Sequence, residues 1–544
     1  MKLSIIIPWQ NKEDDPRYAE TVEFVINYYR SLNIGEVIVG TYPVDDQPLN
    51  RSRLRNEGAK LATGDVLVFI DAEIIVPTAQ LLEAVKLAGE APGIVFPFSH
   101  GWTYCTPEQT RRIYDGEAFE QFIRTEARTS YYQFGRTAPP RHWWVAPATV
   151  ITRGGFDEIG GWDEDFIGWG EEDRDLNWRA HHLLGPLRLV DGGYLHLNHT
   201  DREDKVDSLA AFTEGTPERR MFLANVARYR EKALAVYRPK IAVYSPAKNE
   251  EANVEGWVAS TEGADFVILT DTGSTDATVR VAREAGATVH EDVVVPWRFD
   301  VGFNTALDHV PHDVDICIPL ALDERLEPGW REELEVAWLM GADKFLFHYQ
   351  WQPTVSYGSD RIHVRHGYRW KYPVHEVLVG DGVVIQSGVR IIHHQDLKKD
   401  RSNDDALIDV MLEENPTDPH SLYCHARQKF HNGIYPEARE GFLEYLKYSG
   451  DDQERSEASL MIAEMVWDSD REKWLLKGIA ECPSRREGWE RLADHYLAHG
   501  MNDAARGVAH RLLSIKYSPG RNDYYMAREA WDDNWISLRY FGEH

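Results

Sequence analysis

A short apolar, β-branched run that ends in a polar or acidic loop and gives way to helical periodicity recurs along this chain, and it limits the fold more than any other feature. Residues 3–7 (LSIII) open the pattern, residues 18–30 predict a helix, and residues 36–40 (EVIVG) and 65–71 (DVLVFID) supply further strands. Runs this apolar leave no face for water, so they belong in a mostly parallel sheet covered by helices on both sides, with the helices as crossovers. The plan restarts at residue 241, where IAVYSPAKNEE is followed by ADFVILTDTGSTD and DVDICIPLALDE. From about residue 401 the pattern is helical only. At roughly 150 residues per domain a chain of 544 residues holds three or four units, and the expected division is 1–237, 238–400 and 401–544.

In the last segment Pro416, Ala426, Gly433 and Ala438 recur as Pro483, Ala493, Gly500 and Ala505, each 67 residues on. That is about twice the ~34-residue period of paired-helix repeats. Two helical hairpins that merely share alanines are the alternative.

Charge narrows the function. Eighty-nine Asp and Glu against sixty Lys and Arg give a net −29, which disfavours a phosphate backbone or an anionic membrane surface as partner. No apolar run approaches the ~18 residues of a membrane helix. Cys105, Cys317, Cys424 and Cys482 show no paired spacing, so neither a disulfide framework nor a zinc knuckle is expected. A cytoplasmic protein with no nucleic-acid partner and no membrane span is the expectation.

Ligands of parallel sheets gather beyond the carboxyl ends of the strands, and four segments there carry chemistry. Pro8-Trp9-Gln10-Asn11-Lys12 follows the first strand. Arg51, Arg53 and Arg55 head a helix in an otherwise acidic chain, a cationic spot that suits a diphosphate or is a solvated helix face. Asp71-Ala72-Glu73 ends a buried strand; two carboxylates there must pair or hold a cation, and hard oxygen ligands favour Mg²⁺ or Mn²⁺. Residues 160–175 (GGWDEDFIGWGEEDRD) interleave Trp162, Trp169 and glycines with seven acids, as in an aromatic-walled pocket where sugar C–H faces stack and carboxylates accept hydroxyls.

Together these motifs resemble the ordered signature of β-1,4-galactosyltransferases and the related chondroitin-polymerase transferases, over about residues 3–205. The resemblance implies a GT-A fold (Rossmann-like, nucleotide-diphospho-sugar transferase), a nucleotide-diphosphate sugar donor, a divalent metal and inversion at the anomeric carbon. It assigns donor contacts to Pro8, Trp9, Gln10 and Arg51, with Arg55, Asp71 and Trp169 beside them. The metal-binding D-x-D falls on Asp71 and Glu73, a longer carboxylate than usual at the second position. A Met-x-x-His pair falls on His196-Leu197-Asn198-His199, where a second imidazole suits Mn²⁺. The acceptor-binding acid and the catalytic base fall on Glu172 and Asp173.

Residues 241–395 resemble a family 2 glycosyltransferase of the kind that precedes tetratricopeptide helices, and Trp489-x-x-Leu492-Ala493-x-x-Tyr496 resembles the first helix of such a repeat. Asn249 and Glu250 fall in the K-N-E-E loop, Asp271 opens D-T-G-S-T-D, and His375 lies in V-H-E. The catalytic parts depart from the pattern: Ala321 stands for the first acid before Asp323, and Phe303 precedes Asn304 where an arginine is usual. Asp323 is left to hold a metal, with His375 or His393 beside it. The expected architecture is therefore α/β, two tandem GT-A domains and an all-α tetratricopeptide-like domain. The expected function is a metal-dependent hexosyltransferase that uses a UDP-sugar and a glycan or protein acceptor. The second module is either active, making the chain bifunctional, or degenerate. The helical tail is expected to meet a protein partner. The contrasting expectation is a non-catalytic glycan-binding scaffold built from retired modules.

Overall fold

The computed structural model describes residues 1–10, 16–43, 48–99, 102–123, 147–168, 170–199, 216–352, 355–394, 404–516 and 533–541. Two compact units divide the chain: Met1–Arg238 with Leu339–Gly341, and Pro239–Trp338 with Ala342–His544.

The first unit contains β1 (Leu3–Pro8), α1 (Pro16–Ser31), β2 (Glu36–Gly40), α2 (Arg51–Leu61), β3 (Val66–Ile70), β4 (Ile74–Ile75), α3 (Thr78–Glu90), β5 (Val95–Phe96), β6 (Trp102–Tyr104), α4 (Pro107–Tyr114), β7 (Ala148–Thr152), α5 (Arg153–Glu158), α6 (Glu172–Leu183), β8 (Arg188–Leu189), β9 (Tyr194–His196) and α7 (Pro217–Val236). Its main sheet has the order β2-β1-β3-β7-β5-β8, and a small sheet has the order β4-β9-β6. The three strands read from the apolar runs are mutually parallel, while β7 pairs antiparallel with β3 and β5. All of β3 is buried, as a strand covered on both faces must be.

The second unit contains β10 (Ile241–Ala247), α8 (Glu251–Ser260), β11 (Phe266–Asp271), α9 (Thr278–Glu284), β12 (Thr288–Glu291), α10 (Phe299–Asp308), β13 (Ile316–Pro319), β14 (Glu324–Leu326), α11 (Trp330–Leu339), β15 (Lys344–Gln352), β16 (Val355–Val364), β17 (Arg369–Lys371), β18 (Val377–Val379) and β19 (Val384–His393). Its large sheet has the order β12-β11-β10-β13-β16-β15-β19-β14. From β11 to β19 both the order and the sense of pairing repeat those from β2 to β8: parallel about β10, antiparallel through β16, then parallel between β15 and β19.

The same unit continues into helices: α12 (Asp404–Glu414), α13 (Pro419–His431), α14 (Tyr435–Tyr448), α15 (Asp452–Glu464), α16 (Asp468–Glu481), α17 (Arg486–Ala498), α18 (Asn502–Ser514) and α19 (Asp533–Phe541). Six of these form the hairpins α13–α14, α15–α16 and α17–α18, and Gly433 and Gly500 turn the first and third at φ 76° and 71°. Ala426 and Ala493 are fully buried; a Cβ on Gly441 of α14 would lie 2.8 Å from the Ala426 Cβ, so small residues set that helix approach. The segment docks on its sheet through Tyr372, whose hydroxyl donates to Asp418 at 3.0 Å. All four cysteines are buried thiols. Among the described residues no helix is long and apolar enough to cross a membrane.

Helix α2 reaches the first sheet because two glycines allow it. A Cβ on Gly40 would sit 2.1 Å from the Leu54 carbonyl oxygen, a backbone atom that cannot yield, and one on Gly58 would sit 2.4 Å from Ile6 Cγ2. Gly40→Ala is expected to cost about 1–3 kcal/mol by overpacking, seen as a lower urea midpoint at unchanged m-value.

Candidate active site

The site begins with a cap. The Asn50 side chain accepts from Arg53 N at 2.8 Å and starts α2, so that Arg51 and Arg55 fall one turn apart on one face. Arg55 is 3% exposed in its side chain and meets Asp71 Oδ1 at 2.9 Å, Asp173 Oδ1 at 3.5 Å and Glu172 Oε1 at 3.9 Å. Its guanidinium lies over the Trp162 ring at 4.2 Å. Arg51, half-exposed, approaches Glu172 at 3.9 Å. Arg55, expected among the donor contacts, is therefore the buried hub that joins α2, the end of β3 and the start of α6.

The acidic loop is held against α2 by amide pairs that the sequence reading did not single out. Asn56 donates to the Trp162 carbonyl at 2.8 Å and accepts from Trp162 N at 3.0 Å, and Asn50 Nδ2 donates to the Glu164 carbonyl at 2.6 Å. An Asn just before a helix is an N-cap signal, so Asn50 was findable; the tertiary role of Asn56 was not. The seven acids then separate by partner, and Glu164 accepts from Asn56 Nδ2 at 2.8 Å. Glu171 pairs with Arg174 at 2.8 Å and Asp175 with Arg179 at 2.5 Å. Asp165 pairs with Arg228 at 2.8 Å and Asp163 with Lys232, both bases on α7. Glu172 and Asp173 are left on the Arg55 side. Glu171 takes φ 73°, a left-handed conformation stored where α6 begins. Trp162 was expected in an open sugar wall; it is 2% exposed and stacks inward as the floor under Arg55. Trp169 lies outside the described residues.

A second group forms across the small sheet. The β4–β9 register sets Ile74 opposite His196, and Leu197 N donates to the Glu73 carbonyl at 2.9 Å, which brings His196 Nε2 to 3.6 Å from Glu73 Oε1. His196 Nδ1 lies 3.0 Å from the Leu197 carbonyl oxygen, a pairing that keeps the proton on Nδ1 and the lone pair on Nε2. Glu73, His196 and His199 present ligand atoms within 4.8 Å of one another. Pro8 and Trp9 are half-buried, and Gln10 is turned to the chain, its amide donating to the Tyr42 carbonyl at 2.8 Å.

Electrostatics show what this arrangement requires. Asp71, Glu73, Glu172 and Asp173 against Arg51 and Arg55 leave two negative charges when both imidazoles are neutral. Burial raises Asp71, with Arg55 pulling it back and Glu73 adding to the rise. Burial and then Asp173 raise Glu172. Burial also opposes the Glu73 carboxylate, but His196, His199 and the Tyr18 hydroxyl outweigh it and hold Glu73 low. A surplus of two negative charges on buried and half-buried groups, beside a carboxylate and two imidazoles, fits a divalent cation, and the nitrogen ligands favour Mn²⁺ over Mg²⁺.

In the second unit the same register recurs. Glu324 of β14 lies opposite His393 of β19, His394 N donates to the Asp323 carbonyl at 2.6 Å, and His393 Nε2 sits 3.4 Å from Asp323 Oδ2. Asp271 accepts from Gly273 N and Ser274 N, both at 3.1 Å, and Asn249 accepts from Thr275 N at 2.7 Å, so both acceptors shape the D-T-G-S-T-D turn. Glu250 accepts from Asn253 at 2.8 Å. Asn304 donates to the Trp370 carbonyl at 2.8 Å and accepts from Trp370 N at 3.0 Å, so its amide is spent on backbone. His375 is exposed, at φ 51°, and His393, not His375, lies beside Asp323.

Residues 41–187 match the family model described as "Glycosyltransferase like family 2". Validoxylamine A glucosyltransferase of Streptomyces hygroscopicus subsp. jinggangensis is 29% identical over 185 residues, 31% of this chain and 42% of that protein. A Rickettsia bellii glycosyltransferase is 32% identical over 123 residues, 22% of this chain and 40% of its own. The chain thus spans about two-fifths of the length of these curated relatives. Among solved structures, the catalytic domain of Drosophila β1,4-galactosyltransferase 7 with xylobiose overlaps 40% of this chain and 78% of its own, at 15% identity and TM-score 0.27. Glucosyl-3-phosphoglycerate synthase of Mycobacterium tuberculosis with Mn²⁺ and UDP overlaps 21% and 45%, at 27% identity and TM-score 0.19. Over the matched segment the chain is homologous to glycosyltransferases. That match and the sheet order support a GT-A-like α/β fold for the first unit, with a helix-rich C-terminal region in the second.

An acid whose pKa is higher folded than unfolded contributes stability that is present below the unfolded value and lost as pH rises through the folded value. Glu172→Gln is therefore expected to stabilise the metal-free protein by about 0.5–2 kcal/mol at neutral pH. The gain should vanish at pH values where Glu172 is protonated in both states. Urea titrations in EDTA from about pH 3, below the unfolded Glu value of about 4.3, up to about pH 8 read this directly.

Proposed function

We propose that the chain is a metal-dependent, inverting glycosyltransferase that moves a sugar from a UDP-sugar to a hydroxyl of a glycan or protein. The observation that carries this reading is the convergence on Arg55 of Asp71, Glu172 and Asp173, next to the Glu73, His196 and His199 ligand set. Glu73, His196 and His199, with Asp71 alongside, would hold Mn²⁺ or Mg²⁺, which when bound offsets charge on the leaving diphosphate.

The residues of the chain do the rest. Arg51, half-exposed beside Glu172, offers its donors to diphosphate oxygens, and Pro8, Trp9 and Gln10 border the nucleoside. Glu172 accepts from an acceptor hydroxyl and Asp173 takes the proton of the attacking one. As the new C–O bond forms on one face of the anomeric carbon, the bond to the diphosphate oxygen breaks on the other, and its electron pair leaves with the nucleotide. Arg55, 3.5 Å from Asp173 Oδ1, aims that carboxylate while sharing its own charge with Asp71 and Glu172.

For the second unit the repeated sheet order and the Asp323–His393 pair support a second GT-A domain, and the three helical hairpins support a tetratricopeptide-like segment that meets a protein partner. Phe303, Ala321 and the spent amide of Asn304 favour a sugar-binding or structural role there over turnover.

A screen of nucleotide sugars with Mn²⁺ and with EDTA, followed by product and donor-binding assays, tests the assignment. Asp173→Asn is expected to lower transfer by about 10²–10⁴-fold while UDP binding is retained, and Asp323→Asn is expected to leave that transfer unchanged. Normal turnover by Asp173→Asn would overturn the role of Asp173; loss confined to Asp323→Asn would move catalysis to the second unit.

A further inference from the structure

Tyr18 stands in the first turn of α1 and touches three parts of the candidate site. Its hydroxyl donates to Glu73 Oε2 at 2.9 Å. Its ring stacks on His199, centroids 4.3 Å apart and planes 24° apart, and meets Trp9 edge-on at 4.7 Å. Helix α1 is also pinned to the strand that follows Glu73. The Tyr29 hydroxyl donates to the Ile74 carbonyl at 3.2 Å and accepts from Val76 N at 3.0 Å, and Tyr29 is fully buried. With α1 fixed by Tyr29, the Tyr18 hydroxyl is held at a set height over Glu73.

The two oxygens of Glu73 are thereby made unequal. Oε2 is engaged by Tyr18, while Oε1 faces His196 Nε2 at 3.6 Å. A carboxylate with one oxygen so engaged offers the other to a cation and is poorly placed to chelate with both. Ca²⁺ draws its affinity from six to eight oxygens and often from a bidentate carboxylate, whereas smaller transition cations accept one carboxylate oxygen beside imidazole nitrogens. Stacking on Tyr18 restricts rotation of the His199 ring, the orienting work that partners of metal-bound histidines do.

We infer that Tyr18 is the residue that sets metal choice at this site, holding Glu73 as a one-oxygen ligand and His199 in a fixed plane so that Mn²⁺ is selected over Ca²⁺. This rests on the metal-binding reading of Glu73, His196 and His199 given above. Tyr18 itself touches neither substrate nor metal and acts as a positioning residue.

The test is direct binding to the full chain without nucleotide. Mn²⁺ is followed by electron paramagnetic resonance of the unbound ion, and Ca²⁺ by calorimetry. Tyr18→Phe keeps the ring stack and loses the hydroxyl; Tyr18→Ala loses both. Loss of an orienting partner costs about 10–100-fold in metal affinity. Tyr18→Phe is expected to weaken Mn²⁺ by about that factor without weakening Ca²⁺, so the Mn²⁺/Ca²⁺ preference falls about tenfold or more, and Tyr18→Ala is expected to fall further. An unchanged preference in Tyr18→Phe, with the far-ultraviolet circular dichroism of the parent, overturns the role of Tyr18 and leaves the metal reading standing. No Mn²⁺ binding by the parent protein overturns the metal reading, and the inference with it.

Discussion

A guanidinium closed off from water is the constraint on which the first unit turns. Burying Arg55 carries a desolvation cost of several kcal/mol, and the structure offsets it with three carboxylates from two elements and an aromatic face. Those same contacts fix the relative positions of α2, the end of β3 and the start of α6. The site is thus assembled by the pairing of one charge, and the asparagine clamps from α2 to the acidic loop supply the neutral half of that connection. The close approach of α2 at Gly40 and Gly58 places the Arg55 backbone near enough for the side chain to reach Asp71.

A second constraint is the register of two short strands. Because Ile74 lies opposite His196, the carboxylate before one strand and the imidazole ending the other must meet, whatever the loops between them do. Glu324 opposite His393 reproduces this in the second unit. Antiparallel pairing fixes which residues stand opposite one another, so it suits groups whose separation matters to a cation.

Much of this was legible in the sequence and some was not, for identifiable reasons. Buried strands betray themselves by unbroken apolar runs, so 3–7, 36–40 and 65–71 correspond to β1, β2 and β3. Asp71 and Glu73 were readable as candidate ligands from two carboxylates at the end of a buried strand, and His196 and His199 from the resemblance of His196-Leu197-Asn198-His199 to a Met-x-x-His pair. Sorting the seven acids was not possible, since it needs the phase of α6 and the bases Arg228 and Lys232, which reach the loop from α7. Trp162 was misplaced because an indole beside acids looks alike in sequence whether it walls a pocket or floors a buried arginine. Asn304 read as a site residue because its backbone-clamping role depends on Trp370, 66 positions away.

The departures in the second unit acquire a physical meaning from the first. Counted along the repeated topology, Phe303 before Asn304 stands where Arg55 precedes Asn56, and Ala321 stands where Asp71 precedes Glu73 by two. In the first unit those two positions form one ion pair, its arginine buried and its carboxylate half-buried. Where a buried pair is the sole compensation, removing one partner costs about 3–5 kcal/mol, whereas replacing both by apolar residues is close to neutral; in the first unit Glu172 and Asp173 also meet Arg55, so it is removal of the arginine that leaves charge uncompensated. Absence of the arginine and absence of the acid in the second unit are therefore energetically consistent with each other. Phe303 is now 5% exposed in a core with Tyr244 and Trp370, packed where a charge would need partners. The Asp323–His393 pair follows from the short-strand register, which does not depend on such an arginine, so the acid–imidazole pair stands in the second unit without a hub.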